Sequence, residues 1–143
     1  MTNPKLGIAS DNSQMHYSVG ALIRKDDEYL LIDRVKPALG YAGIAGHIDE
    51  NENAVQCLSR EVMEESGLKV ESQELLYEEE LSWNWCRRGI KCHHWYLFAC
   101  DVSGQLKENV EEVKSIGWHS SDQIKKLQLE EVWQYWFKKL GVI

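Results

Sequence analysis

The stretch GHIDENENAVQCLSREVMEESGL, from Gly46 to Leu68, holds the best-defined helix signal in the 143-residue chain. Asn53 is a good N-cap because its side chain can accept a hydrogen bond from a backbone N–H of the first turn, and Gln56 completes a capping box. Gly67 suits the left-handed residue that follows a helix. The sequence therefore predicts a helix from Asn53 to Ser66.

This helix is expected to carry an apolar stripe beside an acidic one, because helical residues advance by about 100° each. Three aliphatic residues share the first stripe: Val55, Leu58 and Val62. Three glutamates share the second stripe: Glu61, Glu64 and Glu65. We expect the aliphatic stripe to dock the helix and the glutamates to face a cleft.

The three glutamates repel one another, since like charges at helical spacing cost about a few tenths of a kcal/mol per pair. Arg60 precedes Glu64 by four residues but carries only one positive charge. A hard divalent cation such as Mg²⁺ is suited to clustered carboxylate oxygens. Spacing alone leaves a second interpretation open, a solvated acidic face, which is the more usual meaning of a charge run.

The whole stretch from Gly46 to Leu68 resembles the Nudix box at every specified position. That pattern is Gly, five residues, Glu, seven residues, Arg-Glu, an aliphatic, any residue, Glu-Glu, any residue, Gly and an aliphatic. With seven fixed positions, a chance match is on the order of one in ten million. The resemblance implies an α/β fold, a Nudix-type α/β/α sandwich with a mixed β-sheet, and one domain over residues 1–143.

The resemblance also implies roles for individual residues. In this family the metal ligands are glutamates of the box and a backbone carbonyl, which correspond here to Gly46, Glu61, Glu64 and Glu65. The metal is Mg²⁺ or Mn²⁺, which can neutralise phosphate charge and activate a water. We place the same three glutamates and Arg60 among the catalytic residues. Glu52 is expected to brace Arg60.

The general base is less fixed in the family, being either a box glutamate or a glutamate in the loop before the last strand. Glu112 lies six residues before Trp118 and resembles that loop position, with Glu111 as the substitute. We therefore add Glu112 to the catalytic residues.

The loop before the helix departs from the family pattern. Ile44-Ala45 stands where many members have Pro-Gly, and Asn51 stands where many have Gly. Asparagine tolerates a left-handed backbone, whereas alanine does not. Ala45 thus puts the usual loop geometry in doubt, although every proposed ligand is present.

The rest of the chain predicts a sheet with a C-terminal helix. Tyr17–Arg24 and Glu28–Arg34 are β-rich runs around a hairpin turn, and Leu39–Asn51 is expected to be an extended loop. Three further strands and a helix follow: Val70–Trp85, Ile90–Val102, a short strand near Ile116–Trp118, and a helix from about Glu130 to Leu140.

Composition limits the partners. The net charge of −7 and pI near 5.2 argue against a surface that binds nucleic acid or anionic lipid. The sequence shows no signal for export or membrane insertion, so we expect a cytoplasmic protein with no membrane contact. The four cysteines are then expected to be reduced thiols. A homodimer is compatible with the sequence.

Several residues could contact a phosphorylated substrate. The basic candidates are Arg34, Lys36, His47, Arg87 and Arg88, and the aromatic ones are Tyr41, Trp83, Trp85 and Trp95. Of these we select Arg34, His47 and Tyr41 as substrate-binding residues. Solvated surface and core packing are the more usual roles of such side chains.

A zinc site is the other chemistry that the residues suggest. The candidates are Cys86, Cys92, His93 and His94. Their spacing lacks the paired ligands of known structural sites, so we favour core and surface roles for them.

The leading functional hypothesis is a divalent-metal-dependent hydrolase that cleaves a diphosphate linkage. Its substrate would be a small phosphorylated molecule, either a nucleoside di- or triphosphate or a nucleoside diphosphate linked to another group. Two alternatives stay open. One is a Nudix module that binds a nucleotide without cleaving it, and the other is an RNA 5′-end pyrophosphohydrolase.

Overall fold

Strand β2 (Gln14–Lys25) occupies the centre of the sheet, and its sequence explains why. Four consecutive residues, 18–21, are buried, so both faces of the strand are covered. Small and β-branched side chains suit such a position, because helices must pack closely on both sides.

The computed structural model describes residues 3–34, 39–86, 88–107 and 113–143.

The other elements surround this strand. The remaining strands are β1 (Leu6–Ile8), β3 (Glu28–Arg34), β4 (Tyr41–Ala42), β5 (Ile44–His47), β6 (Lys69–Leu81), β7 (Cys92–Ser103) and β8 (Val113–Ser120). The helices are α1 (Ala54–Ser66), α2 (Ser121–Ile124) and α3 (Glu131–Lys139).

The sheet is mixed, as predicted. Strand β2 pairs in parallel with β7 and antiparallel with β1, β3 and β5. Strand β6 pairs antiparallel with β7, and β3 pairs antiparallel with β4 and β8. The parallel pairing places His16 of β2 opposite His93 of β7.

The predicted hairpin between β2 and β3 is confirmed. Lys25 pairs with Glu28, which leaves a two-residue turn of Asp26 (φ 50°) and Asp27 (φ 65°). Two positive φ angles match the turn whose twist suits a two-residue hairpin. Aspartate adopts this conformation more readily than most residues.

Helices α1 and α3 lie on opposite faces of the sheet. A methyl group on Gly20 would contact the Trp133 side chain of α3, whereas one on Gly46 would meet Glu61 of α1. Gly46 pairs with Val19, and neighbouring residues of a strand point to opposite faces. The predicted α/β/α layering is therefore confirmed.

The ends of α1 are also as predicted. The Gln56 N–H donates to the Asn53 side chain at 2.8 Å, and the Asn53 N–H donates to the Gln56 side chain at 2.9 Å. Gly67 has φ 76° and donates its N–H to the Met63 carbonyl. Both helix ends are thus satisfied by residues of the box.

The predicted division of α1 into two stripes is wrong at two positions. Val55 is 40% exposed, and Glu65 is only 6% exposed. The reason is the spacing: Leu58, Val62 and Glu65 follow one another at i, i+4 and i+7, so Glu65 lies on the docked face. Val55 precedes that line and faces outward.

The predicted extended loop over Leu39–Asn51 is wrong in part, because it contains β4 and β5. Ala45 lies within β5 and pairs with Gly20, and it is not among the described residues with positive φ. The sheet pairing therefore holds this segment in an extended form that alanine accepts. Strand β1 and helix α2 were not predicted, and β6 ends earlier than expected.

None of the described helices reaches the length and apolar character that crossing a membrane requires. The four cysteines are free, as expected. The cytoplasmic location expected from the sequence stays a prediction.

The packing of α3 predicts unequal effects for two glycines that both lack positive φ. A methyl group on Gly43 would lie 2.5 Å from the fully buried Trp133 ring, whereas one on Gly117 meets no atom within 4 Å. Overpacking a core costs about 1–3 kcal/mol. Gly43→Ala should lower the free energy of unfolding by about that amount in urea titrations. Gly117→Ala, the control, should leave it unchanged or raise it by about 0.4–1 kcal/mol. Equal effects would contradict this packing.

Candidate active site

Gly46 and Glu61 form the closest approach between β5 and α1. An added Cβ on Gly46 would lie 2.1 Å from the Glu61 carboxyl carbon and 2.2 Å from one of its oxygens. Gly46 does not have positive φ, so the position needs glycine for space. The Glu61 carboxylate thus occupies the volume that any other side chain would fill.

Arg60 is the centre of the acidic cluster. Its guanidinium lies 2.5 Å from Glu52, 2.8 Å from Glu61, 3.3 Å from Glu64 and 3.5 Å from Asp49. It also donates to the His47 carbonyl at 3.1 Å. One side chain thereby connects the box loop, the helix and the end of β5.

The predicted contact between Glu52 and Arg60 is confirmed and is bidentate. Nε of Arg60 donates to one Glu52 oxygen at 3.0 Å, and Nη2 donates to the other at 2.5 Å. These bonds hold the pKa of Glu52 below its usual value and raise that of Arg60. Glu52 also accepts from the Asp49 N–H at 2.9 Å, so it shapes the loop that precedes α1.

The cluster keeps an excess of negative charge. Four carboxylates surround Arg60 and supply four negative charges against one positive charge. Glu65, which is buried on the same helix, adds another carboxyl group. The donors are all oxygens, which are the ligands that Mg²⁺ and Mn²⁺ prefer. The residues present therefore fit a hard divalent cation.

A cleft of about 350 Å³ opens beside Gly46. Its described lining includes three of the basic candidates, Arg34, His47 and Arg88, and two of the aromatic ones, Trp85 and Trp95. Of the two tryptophans, Trp85 is 59% exposed and Trp95 is 4% exposed. Trp85 can therefore offer a ring face to a ligand, whereas Trp95 mainly fills the core.

Tyr41 lies outside this lining, as far as the described residues go. Its ring lies 5.7 Å from that of His119, and its backbone bonds to Gln128 and Glu130. Its predicted role in substrate binding stays a prediction. Trp83 packs edge-on against Tyr135.

Glu130 is a cleft residue that sequence reasoning placed only at a helix start. Its carboxylate lies 3.8 Å from Arg34, and burial raises its pKa while Arg34 opposes that rise. Glu130 therefore lies close enough to influence the charge that Arg34 brings to the cleft. No local pattern marks it, since 96 positions separate the partners in the sequence.

The His47 imidazole is neutral because its surroundings disfavour the protonated form. Burial, followed by the nearby His93, lowers the pKa of His47 to about 3. The positive charge on which its predicted substrate contact was based is therefore absent at neutral pH. His93 is similarly neutral, because burial lowers its pKa to about 4.

The four residues considered for zinc separate into two groups. His94 lies 2.7 Å from Glu78 on the next strand, and Cys92 is buried beside Ala9 and Met15. Cys86 and His93 instead line the cleft. They meet two histidines that the sequence did not associate with them, His16 and His47.

Four of the candidates lie outside the described residues: Lys36, Arg87, Glu111 and Glu112. The assignment of Glu112 as general base therefore stays a prediction.

Curated proteins with sequences similar to this chain include two from bacteria. The NAD-capped RNA hydrolase NudC of Photobacterium profundum is 28% identical over 104 residues, which are 71% of this chain and 36% of that protein. The NudC of Yersinia enterocolitica is 30% identical over 103 residues, which are 71% of this chain and 37% of that protein. The chain thus spans little more than a third of the length of these relatives.

Solved structures show the same fold. A MutT NUDIX hydrolase from Burkholderia pseudomallei aligns with a TM-score of 0.74 at 22% identity, covering 86% of this chain and 95% of that one. The MutT protein from Methanosarcina mazei aligns with a TM-score of 0.69 at 22% identity, covering 86% and 89%. The NUDIX domain model matches residues 14–140. The chain therefore belongs to the NUDIX family.

Proposed function

We propose that this chain is a divalent-metal-dependent hydrolase that cleaves a diphosphate linkage in a nucleotide or a nucleoside-diphosphate-linked substrate. The observation that carries the proposal is the acidic cluster around Arg60, which meets the wall of the cleft at the Gly46–Glu61 contact. A substrate in the cleft would then have its phosphates beside the carboxylates.

The metal would be held by Glu61, Glu64 and Glu65, with the Gly46 carbonyl as a further donor. Bound there, Mg²⁺ or Mn²⁺ would neutralise phosphate charge and lower the pKa of a water. Arg60 contacts both Glu61 and Glu64, so it holds these two carboxylates near each other before metal binds. Such preorganisation is what a metal site requires of its protein.

The cleft supplies the remaining recognition. Arg34 and Arg88 are its described cations and can contact phosphate oxygens directly. The exposed Trp85 ring can stack on a planar base, as aromatic side chains do without reading sequence. The neutral His47 contributes hydrogen bonding instead of charge.

A second candidate substrate comes from the curated relatives, which are NAD-capped RNA hydrolases. Hydrolysis of a dinucleotide such as NAD⁺ would use the same acidic cluster and cleft. A long RNA would also need phosphate contacts outside the cleft, which the net charge of −7 does not favour. We therefore propose a small dinucleotide or nucleotide as the substrate, with capped RNA as the alternative.

The proposal is tested with a substrate panel in Mg²⁺ or Mn²⁺. The panel contains nucleoside triphosphates, nucleoside diphosphate sugars, NAD⁺ and an NAD-capped RNA, and products are resolved as phosphate, pyrophosphate and nucleotide. Turnover of a small substrate supports the proposal. Turnover of capped RNA alone, weakened steeply by salt, would favour the RNA alternative, and binding without turnover would favour the non-catalytic module.

Removing one ligand charge should abolish most of the activity. Glu64→Gln and Glu65→Gln keep the size of the side chain, and each should lower kcat about 100-fold or more, because even outer-shell partners of a metal contribute 10–100-fold. Glu74→Gln, an exposed carboxylate on β6, is the matched control. Chelation should stop turnover and added Mg²⁺ should restore it. Near-native turnover in both variants would remove the role of this helix.

Gly46→Ala tests the close approach itself. The new methyl group would overlap the Glu61 carboxyl group, which is the flexible end of a side chain and can move aside. We expect kcat to fall about 10–100-fold, as when the support of a ligand is lost. Thermal unfolding should shift little, and Gly117→Ala, the control, should leave kcat unchanged. Unaltered turnover would show that the position of Glu61 does not matter.

A further inference from the structure

Four side chains with nitrogen or sulfur donors converge at the wall of the cleft, and of these only His47 has a part in the proposed reaction. They are His16 of β2, His47 of β5, Cys86 before β7 and His93 of β7. One ligand atom from each lies within 4.8 Å of all the others. Imidazole nitrogen and thiolate sulfur are the donors of zinc and related cations, in contrast to the oxygens of the acidic cluster.

The hydrogen bonds of His93 fix which of its nitrogens carries a lone pair. Nδ1 lies 2.6 Å from the Asn84 carbonyl oxygen, which can only accept, so Nδ1 must carry the proton. Nε2 of the neutral ring is then unprotonated and lies 3.1 Å from Nε2 of His47. A histidine whose second nitrogen donates to a carbonyl is the usual arrangement of a metal ligand.

The distances are close to those of a tetrahedral site. Zn–N bonds of about 2.0–2.1 Å and Zn–S bonds of about 2.3 Å separate two nitrogens by about 3.3 Å, and a nitrogen from a sulfur by about 3.5 Å. The corresponding separations are 3.1 Å between His47 and His93, and 3.8 Å between Nδ1 of His16 and Sγ of Cys86. The widest separation, at most 4.8 Å, closes with a side-chain movement of roughly 1 Å.

The surroundings are those of a built site. His16 and His93 are 5% and 2% exposed, so strand packing fixes both rings. Cys86 is positioned by its own turn, in which its N–H donates to the Ile90 carbonyl and its carbonyl accepts from the Gly89 N–H, each at 3.0 Å. The ligands therefore come from three strands and one turn that the fold holds together.

We propose that His16, His47, Cys86 and His93 bind one zinc-class divalent cation, distinct from the hard cation at the box glutamates. With four protein ligands the site is closed, as structural zinc sites are. The Cys86 thiol loses its proton to solvent when it binds, and the histidines bind as neutral rings.

The cation would connect the turn that carries Trp85 and Arg88 to the strands that form the cleft wall. Both residues line the cleft close to Cys86 in sequence. Arg88 adds positive charge near His16 and His47, and the Cys86 thiolate would offset one of the two charges of the cation. Such a site would hold the substrate-facing side of the turn in place.

The test measures Zn²⁺ binding to the metal-stripped full chain by competition with a colorimetric chelator. Millimolar Mg²⁺ is present throughout to occupy the carboxylates. We expect one Zn²⁺ per chain, and Cys86→Ser should weaken its affinity about 100-fold or more, given that outer-shell changes alone cost 10–100-fold. Cys100→Ser, which removes a buried thiol at the opposite end of β7, should bind Zn²⁺ as the unaltered chain does.

Cobalt provides an independent readout of the ligands. Co²⁺ in place of Zn²⁺ should give the ligand-field bands of a tetrahedral ion and a thiolate charge-transfer band. The charge-transfer band should be lost in Cys86→Ser, and both sets of bands should be kept in Cys100→Ser. Absence of stoichiometric Zn²⁺ binding, or unchanged binding and spectra in Cys86→Ser, would overturn the proposal. Binding that is lost in Glu64→Gln instead would place the ion on the box carboxylates and overturn it equally. No step depends on turnover, so the result is separate from the proposed function.

Discussion

The interaction on which the site depends is that of one guanidinium with four carboxylates. Arg60 reaches Asp49, Glu52, Glu61 and Glu64 from the middle of α1, and it also donates to the backbone at the end of β5. Arginine suits this role because its planar fork can satisfy several acceptors at once and cannot be neutralised. Without it, the carboxylates would repel one another and the loop before α1 would lose its anchor.

The close approach of Gly46 and Glu61 connects the sheet to the acidic cluster around Arg60. The Glu61 carboxylate fits only because β5 has glycine at residue 46, and β5 is held there by four paired positions on β2. On the opposite face of the sheet, Gly20 and Gly43 give the same kind of room to the Trp133 ring. Because glycine has no side chain, it lets a helix approach the sheet closely on each face, and the position of the Glu61 carboxylate follows from this packing.

Two chemically different sets of donors lie beside Gly46 and His47, which are adjacent in β5. Oxygen donors gather around Arg60, whereas nitrogen and sulfur donors gather around His47 at the cleft. Alternation along the strand sends the two residues to opposite faces. Strand geometry thus keeps hard and soft donors apart, although they come from neighbouring positions. Arg34 and Arg88 supply local positive charge in a chain that is acidic overall.

The sequence by itself determined what is local: the capped helix over Ala54–Ser66, the two-residue hairpin, and the Glu52–Arg60 pair eight residues apart. These depend on helical spacing and turn chemistry, which a contiguous pattern carries. Only the tertiary structure decided that Glu65 is buried, that residues 41–42 and 44–47 form strands, and that His16 meets His93 across 77 positions. The docking of α1 decides the first, the pairing of β4 with β3 and of β5 with β2 decides the second, and the parallel pairing of β2 with β7 decides the third. All three arise from contacts between distant segments, which no local pattern records.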